Sequence, residues 1–506
     1  MVAAVTAPTP LPGGLPRRPG AGHEAPGPVL LWLRRDLRLG DHAALGEAAR
    51  RATEAGTTVL PVVVLDPALD VGPARLARHA ASVAALAADL DDLGGHLLVR
   101  RGAPDRVLLD LAVELGATIL VVTGEHTPYA RRRDARVAAT LAGADVAMTS
   151  AGSCHVLPPG TVLTKAGTPA KVFTPFFRTW LEQVRATLTE APPLGPDPAH
   201  VPWHPAPPEA PATPATSGPA TLPNSGEMGE AGEAGERAAL RRWDAFRADM
   251  AGYAEDRDRP DLDATSRLSI ALRLGEVHPA RLLADLLDDH VRTCAARGLP
   301  PDTELDPDVH RFAAEVAWRD FHADVLWHRP ETLWHDLRPS PPGIHDEPGE
   351  QFDAWRAGRT GYPLVDAGMR QLLAEGWMHN RVRMVTASFL VKDLLLPWQL
   401  GAQHFLAHLL DGDPASNNHG WQWVAGTGTD AAPYHRVMNT TTQAIRFDPS
   451  GEYVRRWVPE LRHLPGRAAL EPWKHPGGHE HGYPKPIVDH AEARTEALLR
   501  WRSAQQ

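Results

Sequence analysis

At 506 residues the chain is too long for a single compact core and should divide into roughly two or three domains. Its composition, 43% hydrophobic and 23% charged, excludes a disordered or fibrous chain, and its net charge of -10 excludes a protein coated all over in basic residues while leaving room for a local basic patch. The two cysteines, Cys154 and Cys294, stand in no CxxC or Cys/His spacing, so neither a disulfide framework nor a metal site is expected, and a reducing cytoplasm is the expected compartment.

The leading "MVAAVTAPTPLPGGLPRRPGAGHEAPG" lacks the apolar stretch of a signal peptide, and residues 1–28 read as a disordered extension. No later run has the length of a membrane span. From Val29 the apolar runs "VLLWL", "TTVLPVVVLD", "HLLVRRG" and "ATILVVTGE" alternate with Ala/Leu/Arg-rich helical patterns, which predicts a parallel-sheet α/β domain over 29–157. None of these strands is followed by GxGxxG, so the dinucleotide fingerprint is absent. Residues 158–240 read as an interdomain connector, because after "KVFTPFFRTW" a Pro/Ala tract runs into a Gly/Glu tract with too few apolar residues for a core. From 241 to 490 the apolar spacing is helical, as at Leu364, Met369, Leu372 and Leu373, which predicts an all-α domain followed by a tail over 491–506.

Four phrases in the helical half carry chemistry. In "YAEDRDRPDLDATSRLS", Tyr253 precedes Thr265, Ser266, Arg267 and Ser269; hydroxyls and an arginine at a helix start suit a phosphate, although an N-cap is the ordinary use of such residues. In "HRFAAEVAWRDF", Glu315, Trp318 and Arg319 fall on neighbouring turns, where an ion pair beside a core tryptophan is the plainer alternative. "GWMHNRVRM" packs Trp377, His379, Asn380, Arg381, Arg383 and Met384 into one short run, a density of polar groups that needs partners if buried. "DGDPASNNHGWQW" adds Asp411, Asp413, Asn417, Trp421 and Trp423.

Together with "GYPLVDAGMRQL" and "TGTDAAPYHR", and in the same order, these phrases resemble the photolyase/cryptochrome family, from "LLWLRRDLRLGDHAAL" to "GEYVRRWVPEL". The resemblance implies a Rossmann-like five-stranded parallel sheet in the α/β domain and an all-α domain that binds FAD, reduced and anionic in its working state. Tyr253, Thr265, Ser266, Arg267, Leu268, Ser269, Trp377, Arg383, Asp411, Asp413 and Asn417 would hold that cofactor. It further implies a light-dependent enzyme for UV-damaged DNA, similar to class I cyclobutane pyrimidine dimer photolyases and acting as a monomer. A blue-light photoreceptor, a (6-4) photolyase and a flavin-binding module without turnover are the alternatives.

Repair of cyclobutane dimers is preferred because Asn417 stands at the flavin N5 position where plant photoreceptors carry aspartate, and because Asn380 and Met384 match dimer-repair enzymes. His379 alone does not supply the histidine pair of (6-4) enzymes. Trp318 and Trp423 are expected to wall in the flipped thymines, with Glu315 and Asn380 bonding the pyrimidine edges; stabilising charge on a pyrimidine carbonyl would need the Glu315 carboxyl protonated. Arg257, Arg381 and Arg436 are expected at the DNA backbone. For electron transfer the family's tryptophan path begins at Trp421 and Trp398; its third position falls at His345, leaving Trp355 as the nearest candidate in sequence. For a light-gathering antenna, Tyr129 and Ala130 replace the Asn-Glu pair of folate binders, so 8-hydroxy-5-deazaflavin is preferred over methenyltetrahydrofolate or FMN, with Leu65, Asp66, Pro67, Arg75 and His126 at its site.

Overall fold

The computed structural model describes residues 26–503 except 70–71, 191–194, 206–232, 301, 341 and 430–436. Arg436 and almost all of the expected leading extension therefore lie outside the described residues. Strands β1 (Val29–Leu33), β2 (Val59–Leu65), β3 (Leu98–Arg101), β4 (Ile119–Gly124) and β5 (Ala147–Ser153) pair in parallel in the order β3-β2-β1-β4-β5. Helices α1 (Ala43–Ala55), α2 (Pro73–Asp91), α3 (Pro104–Leu115) and α4 (Pro128–Ala142) make the crossovers. Because successive strand residues point to opposite faces, Val29, Leu31 and Leu33 enter one core while Leu30 and Trp32 enter another. Burial on both faces explains why β1 and β2 are unbroken apolar runs. The edge strand β5, "AMTSAGS", is largely half-exposed and polar, and carries no such run.

The helical part comprises α5 (Phe173–Glu190), α6 (Glu236–Ala248), α7 (Tyr253–Asp256), α8 (Ser269–Leu274), α9 (Pro279–Ala296), α10 (Pro307–His328), α11 (Glu350–Arg356), α12 (Pro363–Glu375), α13 (Asn380–Ser388), α14 (Trp398–His408), α15 (Pro414–Ala425), α16 (Thr440–Phe447), α17 (Glu452–Trp457) and α18 (His490–Ser503). Two departures from the expected boundaries stand out. The span expected as connector contains α5, whose Phe176 and Trp180 are fully buried in one core with Phe312 and Phe321 of α10, and whose Trp180 Nε1 donates to Asp320 (2.9 Å). The expected tail is helix α18, docked by an ion pair of His490 with Asp393 and by Arg500 to Asp346 (2.7 Å). Among the described residues no helix is long and apolar enough to cross a membrane, and no group of three or more His, Cys, Asp or Glu could hold a metal ion.

Arginines of the α/β domain clamp the two parts together. Arg78 makes a two-pronged pair with Glu276 (2.7 Å each) in which both side chains are buried, and Glu276 also accepts from Gly235 N (2.8 Å). Arg38 donates to Gly275 O (3.0 Å) and Arg75 Nε to Leu409 O (2.9 Å), while Glu236 accepts from Leu39 N (2.7 Å). Gly275 (φ 73°) is required here, since a Cβ would lie 1.9 Å from the Arg35 carbonyl oxygen. Removing one charge from a buried pair strands the other at a cost of about 3–5 kcal/mol. Glu276→Gln should therefore lower the melting temperature more than the double replacement Arg78→Met/Glu276→Leu, as measured by thermal denaturation of the two variants.

Candidate functional site

A cavity of about 380 Å³ opens between α8, α10, α13 and α15. Its near wall carries Ser266, Ser269 and Arg273, α10 adds Glu315, Trp318, Arg319 and His322, α13 adds Asn380, Arg383 and Met384, and α15 adds Ser416, Asn417 and Trp421. Ser266 is shared with an adjoining cavity of about 920 Å³ that Tyr253 and Thr265 line, so the two together can take an elongated ligand. Burial, followed by the nearby Glu315 charge, pushes the Tyr253 phenol up to about 12 and keeps it neutral.

The electrostatics of the cavity turn on two aspartates. Arg383 grips Asp411 with both arms (3.2 and 2.8 Å). Asp413 accepts from Ser416 N (3.0 Å), which caps α15, and pairs with Arg35 (2.8 Å). Burial pushes the Asp413 carboxyl upward, but Arg35, Arg273 and Arg319 around it hold it well below the usual carboxylate range. Burial, reinforced by Arg35, lowers Arg273 to about 9. Four guanidinium groups stand around Asp411 and Asp413, while Glu315, the third carboxylate of the cavity wall, is taken up by Arg257 and Arg311, and an unmatched buried charge is expensive. A diphosphate would balance the excess, and Ser266 and Ser269 offer hydroxyl donors beside it. Met384, Trp421 and Val424 give the apolar wall that a flat ring needs. Both amide hydrogens of Asn417 are engaged, with Ala402 O (3.1 Å) and Asn418 Oδ1 (2.9 Å), so its side-chain oxygen remains as an acceptor. The residues present fit FAD.

Several expected site residues lie elsewhere. Arg267, in the left-handed region (φ 51°), pairs with Asp263 (2.9 Å) and sits 4.6 Å over the Trp377 ring, so this pair lines a separate small cleft and not the cavity. Leu268 is a core residue. Arg257, expected at the DNA backbone, is buried and pairs with Glu315 (2.9 Å), which also meets Arg311 (3.1 Å). Glu315 is thus held between two guanidinium groups at the cavity wall. Arg381 pairs with Asp258 (2.5 Å) and covers Phe447. Trp318 stacks on Phe173 (3.7 Å, 6°) with Phe321 edge-on (5.6 Å, 71°), whereas Trp423 is half-buried and does not line the cavity. His379 is buried and caps α13 by accepting from Arg381 N (3.2 Å).

Of the expected electron-transfer residues, Trp421 lines the cavity and packs onto Gly401, while Trp398 is buried and donates to Asp336 (2.7 Å). Trp355 touches Trp421 (6.1 Å) but is fully buried and bonded to Thr386 O (3.1 Å), so it gives no exit to solvent. Sequence order hid a different neighbour: Trp334, 37% exposed, lies parallel to Trp398 (6.5 Å, 6°). The expected antenna set is also divided. Asp66 accepts from Tyr129, between Leu65 and Pro67 at the end of β2; His126 meets Ser153 (3.2 Å) and the edge of Trp327 (5.6 Å). Arg75 is withdrawn from that set, because its guanidinium is used on the Leu406 and Leu409 carbonyls at the domain interface.

Residues 312–503 match the family described as the FAD binding domain of DNA photolyase, and residues 29–197 match the one described as DNA photolyase. The chain is 41% identical over 471 residues to a deoxyribodipyrimidine photo-lyase of Streptomyces griseus, covering 91% of this chain and 96% of the relative. Similar solved structures include a bacterial class III photolyase from Agrobacterium tumefaciens (TM-score 0.81, 34% identity, covering 96% of this chain and all of the other). A Synechocystis cryptochrome is also similar (TM-score 0.79, 27% identity, covering 94% and 99%).

Burial lowers His79, His379 and His419 to about 4 and His278, His322 and His404 to about 3. Unfolding releases them to their ordinary value of about 6.5, so the unfolded chain takes up more protons in that window and stability falls as pH drops from 6.5 towards 4. Asp320 and Asp448, raised to about 6 by burial, act in the opposite sense but are outnumbered. Thermal melts between pH 7.5 and 4 should show a steady loss of stability beginning near about 6.5.

Proposed function

This chain belongs to the DNA photolyase family and is a deoxyribodipyrimidine photo-lyase, splitting cyclobutane pyrimidine dimers with light, and we propose that the cavity between α8, α10, α13 and α15 is where it does so. The observation that carries this reading is that one cavity joins the surplus of guanidinium charge around Asp411 and Asp413 to the lesion-facing edges of Glu315, Trp318 and Asn380. The FAD that these residues would hold would supply the light-driven loan of one electron by which the two ring bonds of the dimer open.

The chain's own residues bind and orient. Ser266, Ser269, Arg273 and Arg319 take the diphosphate, and the Arg383–Asp411 pair and Asp413 hold the remainder of the cofactor. The open acceptor of Asn417 suits a ring N–H, which a reduced flavin has at N5 and an oxidised one lacks; this supports the reduced working state. An amide cannot protonate that nitrogen as an aspartate could, which argues against a signalling photoreceptor. Glu315 accepts from a pyrimidine ring N–H, Asn380 donates to a pyrimidine carbonyl, and Met384 packs beside them. Trp318, braced on its other face by Phe173, stacks on the flipped bases, and Trp423 contributes only at the rim. His379 is used as a helix cap, so a (6-4) reaction lacks its acid.

The enzyme acts as a monomer on UV-damaged DNA, with Arg381 reaching phosphate once released from Asp258. For the antenna, 8-hydroxy-5-deazaflavin is favoured over methenyltetrahydrofolate and FMN, at the Leu65–Pro67 turn and Tyr129.

Reduced, illuminated protein given a dimer-containing oligothymidylate should restore absorbance at the thymine band; no recovery overturns the assignment, and recovery only on (6-4) substrate overturns the lesion. Trp318→Ala should weaken binding to that oligonucleotide by about 1–3 kcal/mol at unchanged flavin content, read by fluorescence titration.

A further inference from the structure

We propose that Arg35, which the α/β domain supplies, is a positioning residue of the cofactor site: acting through Asp413, it keeps Arg273 and Arg319 available to the diphosphate and so sets how tightly FAD is held. The proposal rests on the flavin reading above and deepens it.

The residues that line the cavity all belong to the helical part, from Ser266 to Val424. Arg35 lies outside that lining, yet its Nη2 donates to Asp413 Oδ2 (2.8 Å) and its Nε to the carbonyl of Arg273 (3.4 Å). The side chains of Arg35 and Asp413 are only 14% and 15% exposed, so water screens the pair poorly. Glu125, the nearby carboxylate of its own domain, is taken by Arg133 (2.6 Å), which leaves Asp413 as the partner of Arg35.

Neighbouring residues at the end of β1 serve different domains. Arg34 turns back onto Asp134 (3.0 and 2.9 Å), whereas Arg35 points across the interface. Its backbone is fixed there against the end of α8, the helix that carries Ser269 and Arg273. Gly275 lets the Arg35 carbonyl come closer than any side chain would permit, Leu37 N donates to Leu274 O (3.3 Å), and Arg38 Nη1 donates to Gly275 O (3.0 Å). A guanidinium mounted on so firm a base loses little freedom by pairing.

The cations around Asp413 thereby divide their work. Arg273 donates to Gly412 O (3.0 Å), and Arg319 donates to Cys154 O (2.7 Å) and Leu272 O (3.3 Å), with Asp320 no nearer to Arg319 than 4.0 Å. Both are oriented mainly by neutral carbonyls, so their charge is not spent by that bonding. Asp413 stands among them, and its other oxygen caps α15 through Ser416 N (3.0 Å). With Arg35 in place, the negative charge of Asp413 is met from behind the cavity wall. Without it, the carboxylate draws on Arg273 and Arg319, and an anion entering the cavity meets a partly cancelled charge beside an uncompensated carboxylate.

Release of FAD from the purified holoenzyme provides the test, since flavin fluorescence rises when the cofactor enters solution. Arg35→Gln should release FAD faster by about tenfold or more, because truncating one partner of a buried charge pair acts mainly on dissociation. Arg35→Met, which keeps the apolar stem, stands in where Arg35→Gln does not fold, and a variant that purifies without flavin is titrated with FAD to read the same ratio as a weaker dissociation constant. Arg35 reaches Asp413 through one nitrogen, so Arg35→Lys, which keeps the charge, should release FAD more slowly than Arg35→Gln. Glu276→Gln weakens the same domain interface at the Arg78 pair but lies outside the cavity lining, and it should release FAD within about twofold of the parent. Parent-like release from Arg35→Gln, release from Arg35→Lys as fast as from Arg35→Gln, or an equal acceleration in Glu276→Gln would overturn the proposal. Parent protein that carries no flavin absorbance would instead overturn the cofactor reading, so the two failures are distinguishable.

Discussion

The charge of Asp413 is the constraint around which the site is assembled. One carboxylate oxygen caps α15, the other receives Arg35 from the α/β domain, and Arg273 and Arg319 stand close by. Burying such a group is unfavourable by itself, and the surrounding guanidiniums reverse that penalty. A single residue thereby joins the two parts of the chain, sets the start of the helix that carries Asn417 and Trp421, and gathers Arg273 and Arg319 at the cavity wall. An anionic cofactor completes this arrangement.

Helix α15 divides its work by face. Asn417, Gly420, Trp421 and Val424 recur at three- and four-residue intervals and line the cavity. Asn418, His419 and Gln422 fall on the opposite side and bind the segment from Thr332 to Leu337. The helix mixes polar and apolar residues around its whole circumference, and its buried polar side chains are stable in the interior because they have partners. That double attachment fixes the cavity tryptophan and the surface tryptophan to one rigid element.

Much of this was legible in the chain. The unbroken apolar runs announced β1, β2 and β4 because both faces of a parallel sheet are covered, and the motif phrases placed the serines, Arg383, Asp411 and Asn417 at one cavity. Where the reading failed, it assigned a long charged or aromatic side chain to a destination by local context. Arg257, expected at the DNA backbone, and Arg75, expected at the antenna site, are both buried, one on Glu315 and the other on the carbonyls of Leu406 and Leu409 at the end of α14. Trp377 and Arg267 were expected around the cofactor and instead cover each other. The connector hid α5, whose Trp180 and Phe176 reach a core built from residues well over a hundred positions away.

The sequence by itself determined strands β1 to β4, the helical character of the second half, the chemical inventory of the site and the family, because each depends on periodicity or on residues within a few turns of one another. Only the tertiary structure decided which guanidinium meets which carboxylate and which ring stacks on which. An arginine side chain can reach partners in many directions, and Trp398 and Trp334 are sixty-four positions apart, so their parallel packing leaves no local signature.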